Sequence, residues 1–335
     1  MGRNALRIAL SFILLLGFSA SIVGAQTITL QVAAAVPVNS PWDQGLRKIA
    51  AEWAAISGGR VRLAFPRSMA NASQSDILQK MRLSLDGGLI ETSGLYQLDP
   101  DFLYLSMPTV IRSEAEFEAV AKALTPVMAR RFEGRYEVVT FAQGGWLRFF
   151  SNRALSVPSD IAGLRIGVSE DQEALIRFMQ ALGARTVKSD ASTVLLQFNS
   201  NALDVGYTSP IVVATLWSQY RRSVTHMSGF RISPFFGALL INRRSWERVP
   251  AELRPALKDA ADRVAAEIAR DAFKLEDQAI ASMTKDGLQV PPMSEAQRDE
   301  WSELFTGPRM RDLLSAWFSA DFRRAVDAAV AELRP

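Results

Sequence analysis

The sequence predicts an α/β fold of two lobes. Strand-like and helix-like periodicities alternate from Thr27 to about residue 142 and begin again near Gly144-Gly145, the pattern of two α/β units in succession. A third observation joins them. One helical apolar stripe runs from Pro250 to Met283, roughly 50 Å at 1.5 Å per residue, longer than one small domain is wide. It should therefore span both lobes. The predicted first lobe is 26–144 plus 234–273 and the second 145–233 plus 274–335, with residues 1–25 preceding both.

In the first unit, "TITLQVAAAV" (Thr27 to Val36) reads as a strand. Ser40 and Pro41 then supply an N-cap and a first-turn proline, and Trp42, Leu46, Ile49, Trp53 and Ile56 recur at helical spacing. Ser57-Gly58-Gly59 ends that helix. "RVRLAF" follows as a second strand, and helical patterns at Ser75 to Leu85 and Glu114 to Ala129 alternate with strand-like "GGLIETS", "FLYLSMP" and "YEVVTFA". In the second unit "WLRFFS", "LRIGV", Arg185 to Val187 and "ALDVGY" read as strands, with helices over Asp171 to Leu182 and near Ser192 to Phe198. Ser223 to Met227 and "FFGALLIN" lead back as strands to the long helix, which Gly287 should stop. The tail is helical, with a capping box of Ser294 and Gln297 and an amphipathic segment from Arg309 to Leu333. Both charges mix on the polar faces, so these stripes are read as core and lobe-bridging faces rather than membrane or partner helices.

A chain of 335 residues, 48% hydrophobic and 22% charged, can bury a large core. Its first 25 residues differ: Arg3 and Arg7 precede the apolar run "IALSFILLLGFSASIV", and Val23-Gly24-Ala25 offers a small-residue cleavage site. A secretory leader cleaved before Gln26 is predicted, and with it a periplasmic protein. No other run approaches the roughly 18 apolar residues of a membrane span. The absence of cysteine excludes disulfides and lipid-modified cysteines. Losing the leader removes two positive charges and no acid, which lowers the net charge from +3 to +1. Lysine and arginine are interspersed with acids rather than clustered, so no nucleic-acid partner is predicted despite a pI near 9.3.

Catalytic equipment is sparse. The single histidine, His226, sits in the strand-like "SVTHMSG" without an orienting carboxylate nearby, and is read as structural. Zinc would find one imidazole and otherwise only oxygen ligands, so no metal is predicted. "SGGR", "DGG" and "QGGW" lack the P-loop lysine and the spaced glycines of a dinucleotide fingerprint, so no cofactor is predicted either. An exported carboxylate-pair hydrolase has no support beyond the presence of 35 acids. It stays open beside an envelope interaction protein. The residues themselves outline an exported two-lobed protein that binds in a cleft, at the carboxyl ends of strands.

Several segments, in order, resemble those of one family. "SNRALSVPSDIAGLRIGV" (Ser151 to Val168) and "LQFNSNALDVGYTSP" (Leu196 to Pro210) are the most specific. "ISGGRVRLAFPRSM", "SLDGGLIETSGL", "YLSMPTVIRSEAE" and "LLINRRSWERVPAELRPALKDAA" accompany them. Together they are similar to the periplasmic solute-binding subunits of TRAP (tripartite ATP-independent periplasmic) transporters, of the DctP type. The resemblance implies an interlobe cleft that closes on a small solute, a long helix crossing both lobes, and delivery to membrane permease subunits driven by an ion gradient.

It also implies where the solute lies. The position of Gly167 usually carries an arginine whose planar fork clamps the solute carboxylate. Here it is glycine, a poor residue inside "LRIGV" unless something approaches the backbone closely. A second frequent arginine matches Leu147, and a cleft asparagine matches Thr208. Glu91 matches a position that is acidic in some members, Tyr207 and Thr208 end the strand "LDVGY", and Trp146, Trp217, Phe235 and Phe236 are expected nearby. Arg148 and Arg153 are alternative carboxylate anchors, although a one-residue shift turns a strand side chain to the opposite face. Arg165 shares the strand face of Gly167 but lies a pleat away. The expectation is a solute other than an ordinary small dicarboxylate, held by aromatic walls and by a cation or hydroxyl donor at Glu91. Blander readings stay open: Glu91 as a solvated or internally paired acid, the aromatics as lobe packing, Gly167 as a tight backbone contact.

Overall fold

The strands alternate with helices along most of the chain, and the computed structural model describes residues 27–36, 40–70, 72–108, 110–169, 172–189 and 193–334. The predicted leader lies outside the described residues. The strands are β1 (Ile28–Ala33), β2 (Val61–Ala64), β3 (Gly87–Glu91), β4 (Tyr136–Ser151), β5 (Arg165–Val168), β6 (Arg185–Lys188), β7 (Val205–Thr208), β8 (His226–Met227) and β9 (Ser233–Asn242). They form one sheet in the order β2-β1-β3-β9-β4-β7-β5-β6, with β8 on β4. At one end β1 runs parallel to β2 and β3; at the other β5 runs parallel to β6 and β7. Antiparallel β9 and β4 stand between these groups.

β4 is the strand that belongs to both groups. Its 16 residues extend about 50 Å. Tyr136 to Leu147 pair with β9, whereas Arg148 to Ser151 pair with β7. The pairing with β9 slips between Val138 and Thr140 and again between Gln143 and Gly145. At the second slip Gly145 takes a φ of +132°, which side chains with a Cβ rarely adopt. A Cβ there would also stand 3.3 Å from a Glu276 carboxylate oxygen. Such a bulge re-aims the side chains that follow it.

The long helix is Arg254–Lys285, 32 residues and about 48 Å. Leu257, Ala260, Ala261 and Val264 near its start pack with Leu30, Val32, Trp53, Leu239 and Ile241. Near its end Met283 packs with Phe150, Leu203 and Trp217. Between these contacts Glu276, 3% exposed, accepts a hydrogen bond from the Trp146 backbone N–H at 2.9 Å. Gly287, at φ +103°, terminates the helix as its position in the sequence suggested.

Four stretches differ from the sequence reading. "YEVVTFA" and "WLRFFS" are one strand rather than two, because the bulge lets β4 continue through Gly144-Gly145. "FLYLSMP" is not a strand: Pro100–Ser106 is a 3-10 helix, opened by Pro100 and by the Asp99 side chain accepting the Asp101 N–H at 3.0 Å. "GGLIETS" is strand only to Glu91, since the Thr92 hydroxyl leaves the ladder pattern to bond Phe236 N–H and C=O at 3.0 and 2.7 Å. Of Ser223 to Met227 only His226 and Met227 are strand. In the tail, the Phe322 ring stands 5.3 Å from Phe102 and the Phe318 ring 5.4 Å from Tyr104.

The Glu276 carboxylate ties the long helix to β4, and its removal leaves a buried N–H and the nearby Arg148 without that acceptor. Glu276→Ala should cost about 3 kcal/mol in urea denaturation. Glu276→Gln, which keeps an acceptor for the Trp146 N–H, should cost clearly less.

Candidate functional site

Two chambers meet beside the centre of the sheet. The first, of about 380 Å³, is walled by Trp42, Leu46, Ala142, Gln143, Gly144 and Phe236 among others. The second, of about 230 Å³, lies among Gly167, Ser189, Phe198, Tyr207, Val213 and Tyr220. Glu91, Leu147, Thr208 and Phe235 line both. Glu91 is the only charged side chain among the described residues lining either chamber. No arginine or lysine is among them.

The placement of Glu91 follows from its strand. It is the last residue of β3 and the residue before the helix Thr92–Leu98, where its own N–H donates to Gln74 Oε1 at 3.1 Å. Across the ladder it faces Gly237, where a Cβ would come within 3.0 Å of the Ile90 carbonyl oxygen. The carboxylate itself has no hydrogen-bond or ion-pair partner among the described residues. Half-buried among apolar walls, it loses hydration when ionised, and burial pushes its pKa up to about 7.

A polar group that the sequence reading missed stands in the same chamber. Trp42 Nε1 is buried with no acceptor among the described residues. Its ring meets Phe235 edge-on at 5.9 Å. Gly144 makes room for it, since a Cβ there would lie 2.7 Å from Trp42 Nε1. In the sequence Trp42 looked like one more member of a helical apolar stripe. Its position just after Ser40-Pro41, at the helix start facing the sheet, was the signal available.

The structure separates the residues expected at the cleft. Thr208 and half-buried Phe235 line both chambers, Phe236 the first, and Tyr207 the second. Tyr207 shares a hydrogen bond with the Ser233 hydroxyl, and burial raises its phenol pKa. Trp146 is instead fully buried on the other side, donating from Nε1 to Glu114 at 3.2 Å beneath the Arg231 guanidinium. Trp217 packs with Phe150, Leu203 and Met283 and lines neither chamber. Gly167 borders the second chamber, but a Cβ there would meet Ser189 Cβ at 2.9 Å and Leu203 Cδ2 at 3.2 Å. The space at its Cα is therefore taken by neighbours.

None of the three nearby arginines reaches the chambers. Leu147 faces the cleft, so strand alternation turns Arg148 to the opposite side of β4, into a separate rear cavity. Arg153 is exposed beyond the end of β4 and bonds Asn152 Oδ1 at 3.2 Å. Arg165 forms a fork with Asp204, at 2.9 Å from Nε and 2.7 Å from Nη2, and that pairing holds the Asp204 carboxyl below its ordinary pKa. His226 Nδ1 lies 2.8 Å from the Thr225 hydroxyl and outside both chambers.

The sequence model of bacterial extracellular solute-binding proteins, family 7, the DctP family, matches residues 32–307. The chain belongs to this family. The work of this family, as its description has it, is solute binding. The C4-dicarboxylate-binding periplasmic protein DctP of Rhodobacter capsulatus is 22% identical over 240 residues, 69% of each chain. An extracytoplasmic solute receptor of Bordetella pertussis binding pyroglutamic acid is 21% identical, with a TM-score of 0.77 over 90% of this chain and 99% of that one. A TRAP periplasmic solute-binding protein of Desulfovibrio salexigens with bound orotic acid is 17% identical, with a TM-score of 0.75 over 92% and 96%. At these identities the structures share the fold. No helix among the described residues is long and apolar enough to cross a membrane.

Glu91 carries a pH signature. In the unfolded chain its carboxyl ionises near the ordinary value of 4.5, and in the folded chain only near 7. The folded state thus binds the extra proton between these values, so the stability of the ligand-free protein should fall as pH rises through that window. The loss should be about 3 kcal/mol, read as a falling melting temperature between pH 4.5 and 8. Glu91→Gln should flatten that part of the curve.

Proposed function

We propose that this receptor works in a bacterial periplasm, after cleavage of a leader at Ala25, and hands its solute to the membrane permease subunits of a TRAP-type transporter. The solute is something other than an ordinary small dicarboxylate. It has a largely apolar body, offers a cation or hydrogen-bond donor to Glu91, and accepts from the Trp42 indole. Glu91, Trp42, Leu147, Thr208, Phe235 and Phe236 form the main contact surface, with Tyr207 and Gly167 at the second chamber. Residues 26–144 plus 234–273 and 145–233 plus 274–335 are the lobes between which it is held.

One observation carries this reading: a cleft with one carboxylate and no cation among its described lining residues. A dicarboxylate placed there would lose hydration at both ends and meet a like charge at Glu91, without a guanidinium to offset either cost. Apolar walls favour an apolar solute through the area removed from water, about 25 cal/mol per Å². A buried acid, neutral or ionised, adds selectivity for donors rather than acceptors.

Melting the purified protein against organic acids, amino acids, amines and uncharged apolar compounds tests the reading. A compound present at 100 times its Kd should add about 2.7 kcal/mol of stability. Stabilisation should come from the uncharged or cationic compounds and weaken by about tenfold in affinity in Glu91→Gln. Strong stabilisation by succinate that disappears in Arg148→Ala would sink the proposal and restore a carboxylate clamp. Mass spectrometry of small molecules released on unfolding the purified protein gives an independent answer.

A further inference from the structure

A cavity of about 600 Å³ lies across β4 from the cleft, and we propose that it is a second binding site, for an organic oxyanion of carboxylate or phosphate type. Among the described residues, four arginines line it, Arg112, Arg148, Arg231 and Arg298, against one acid, Asp299. They arrive from separate parts of the chain: the stretch after the 3-10 helix Pro100–Ser106, β4, the crossing into β9, and the helix Glu295–Thr306. Guanidiniums converging on one concavity raise its positive potential and favour an anion there.

The carboxylates nearby are already bonded, and Glu114 offsets the charge of one of the four arginines, Arg231. Glu114 accepts from Arg231 at 2.8 Å and from Trp146 Nε1 at 3.2 Å. Glu116 pairs with Arg334 at 2.9 Å, and Glu276 accepts the Trp146 N–H. Arg148 shows the resulting deficit. Its side chain is 11% exposed, yet Nη1 reaches the Ser228 carbonyl only at 3.4 Å and Nη2 reaches Glu276 only at 3.7 Å. Its Nε is buried with no partner among the described residues. Charge-assisted bonds of guanidinium to oxygen are usually about 2.7–2.9 Å, and a buried polar group so poorly matched calls for a further partner. The Arg298 side chain likewise has no hydrogen-bond or ion-pair partner among the described residues.

The rest of the cavity suits an anion with an apolar or planar body. Phe230 and Trp301, with ring centroids 4.6 Å apart, share the lining with Ile111 and Met293. Arginines beside aromatic faces are a fitting surround for such a molecule. The site gives Arg148 a role on the face of β4 where its side chain lies, and it does not depend on the identity of the cleft solute. Because Arg112 and Arg298 come from opposite predicted lobes, an occupant would also brace the lobes from behind.

The test is titration calorimetry on the whole chain with citrate and phenyl phosphate, against chloride at matched ionic strength. At least one of the two should bind saturably. Its Kd should rise about tenfold in Arg298→Ala and in Arg112→Ala, both exposed positions whose ligand-free melting temperatures should stay near that of the parent. Glu91→Gln, in the cleft, should leave this Kd unchanged. Citrate binding alone assigns the site to carboxylates and phenyl phosphate binding alone to phosphates; either supports it. Absence of saturable binding by both, binding that survives both arginine substitutions, or binding lost in Glu91→Gln overturns it.

Discussion

The rest of the structure depends on β4 running unbroken from one group of strands to the other. One strand hydrogen-bonded to β9 along most of its length and to β7 at its end makes the sheet continuous. The Gln143–Gly145 bulge absorbs the change of direction, and the Glu276 carboxylate, bonded to the next residue's N–H, fastens the long helix at that point. A buried carboxylate is costly unless it is well bonded. Here its bond to the backbone and its proximity to Arg148 offset burial, which nonetheless raises its pKa.

That strand also partitions the chemistry. Alternation sends Leu147 into an apolar cleft and Arg148 into a cationic cavity behind it. Two neighbouring residues thus face environments of opposite character. Among the described residues that line the cleft Glu91 is the one charge, and the nearby arginines are on the far face, exposed, or paired with Asp204. In this member of a solute-binding family the two chambers carry no guanidinium among their described lining residues. Relatives of similar fold are seen with pyroglutamic acid and orotic acid, so the fold accommodates different ligands and the lining decides among them.

Much of the architecture was readable because it rests on local rules. The N-cap at Ser40 accepts the Asp43 N–H, the capping box at Ser294 and Gln297 forms, and Gly58, Gly59 and Gly287 take positive φ where helices end. The misreadings share one cause. "FLYLSMP" has the apolar character of a strand, but Asp99 and Arg131 fix it as a tight helix through contacts that are remote or polar. Trp146 and Trp217 carry the aromatic character of binding residues, yet burial on the wrong side of their elements makes them core. Trp42 shows the converse, with the periodicity of a core residue and a place in the cleft.

By itself the sequence determined the fold class, the long bridging helix, the family, and the absence of an arginine at positions 147 and 167. Those follow from periodicity, turn residues and residue identity, all carried by the chain in one dimension. Only the tertiary structure decided what surrounds those positions. It set Ser189 and Leu203 against Gly167, freed Trp42 Nε1 and Glu91 into one chamber, and gathered four arginines from distant segments behind β4. Which side chains share a concavity depends on strand register and on the packing of residues far apart in sequence, and a single bulge is enough to change it.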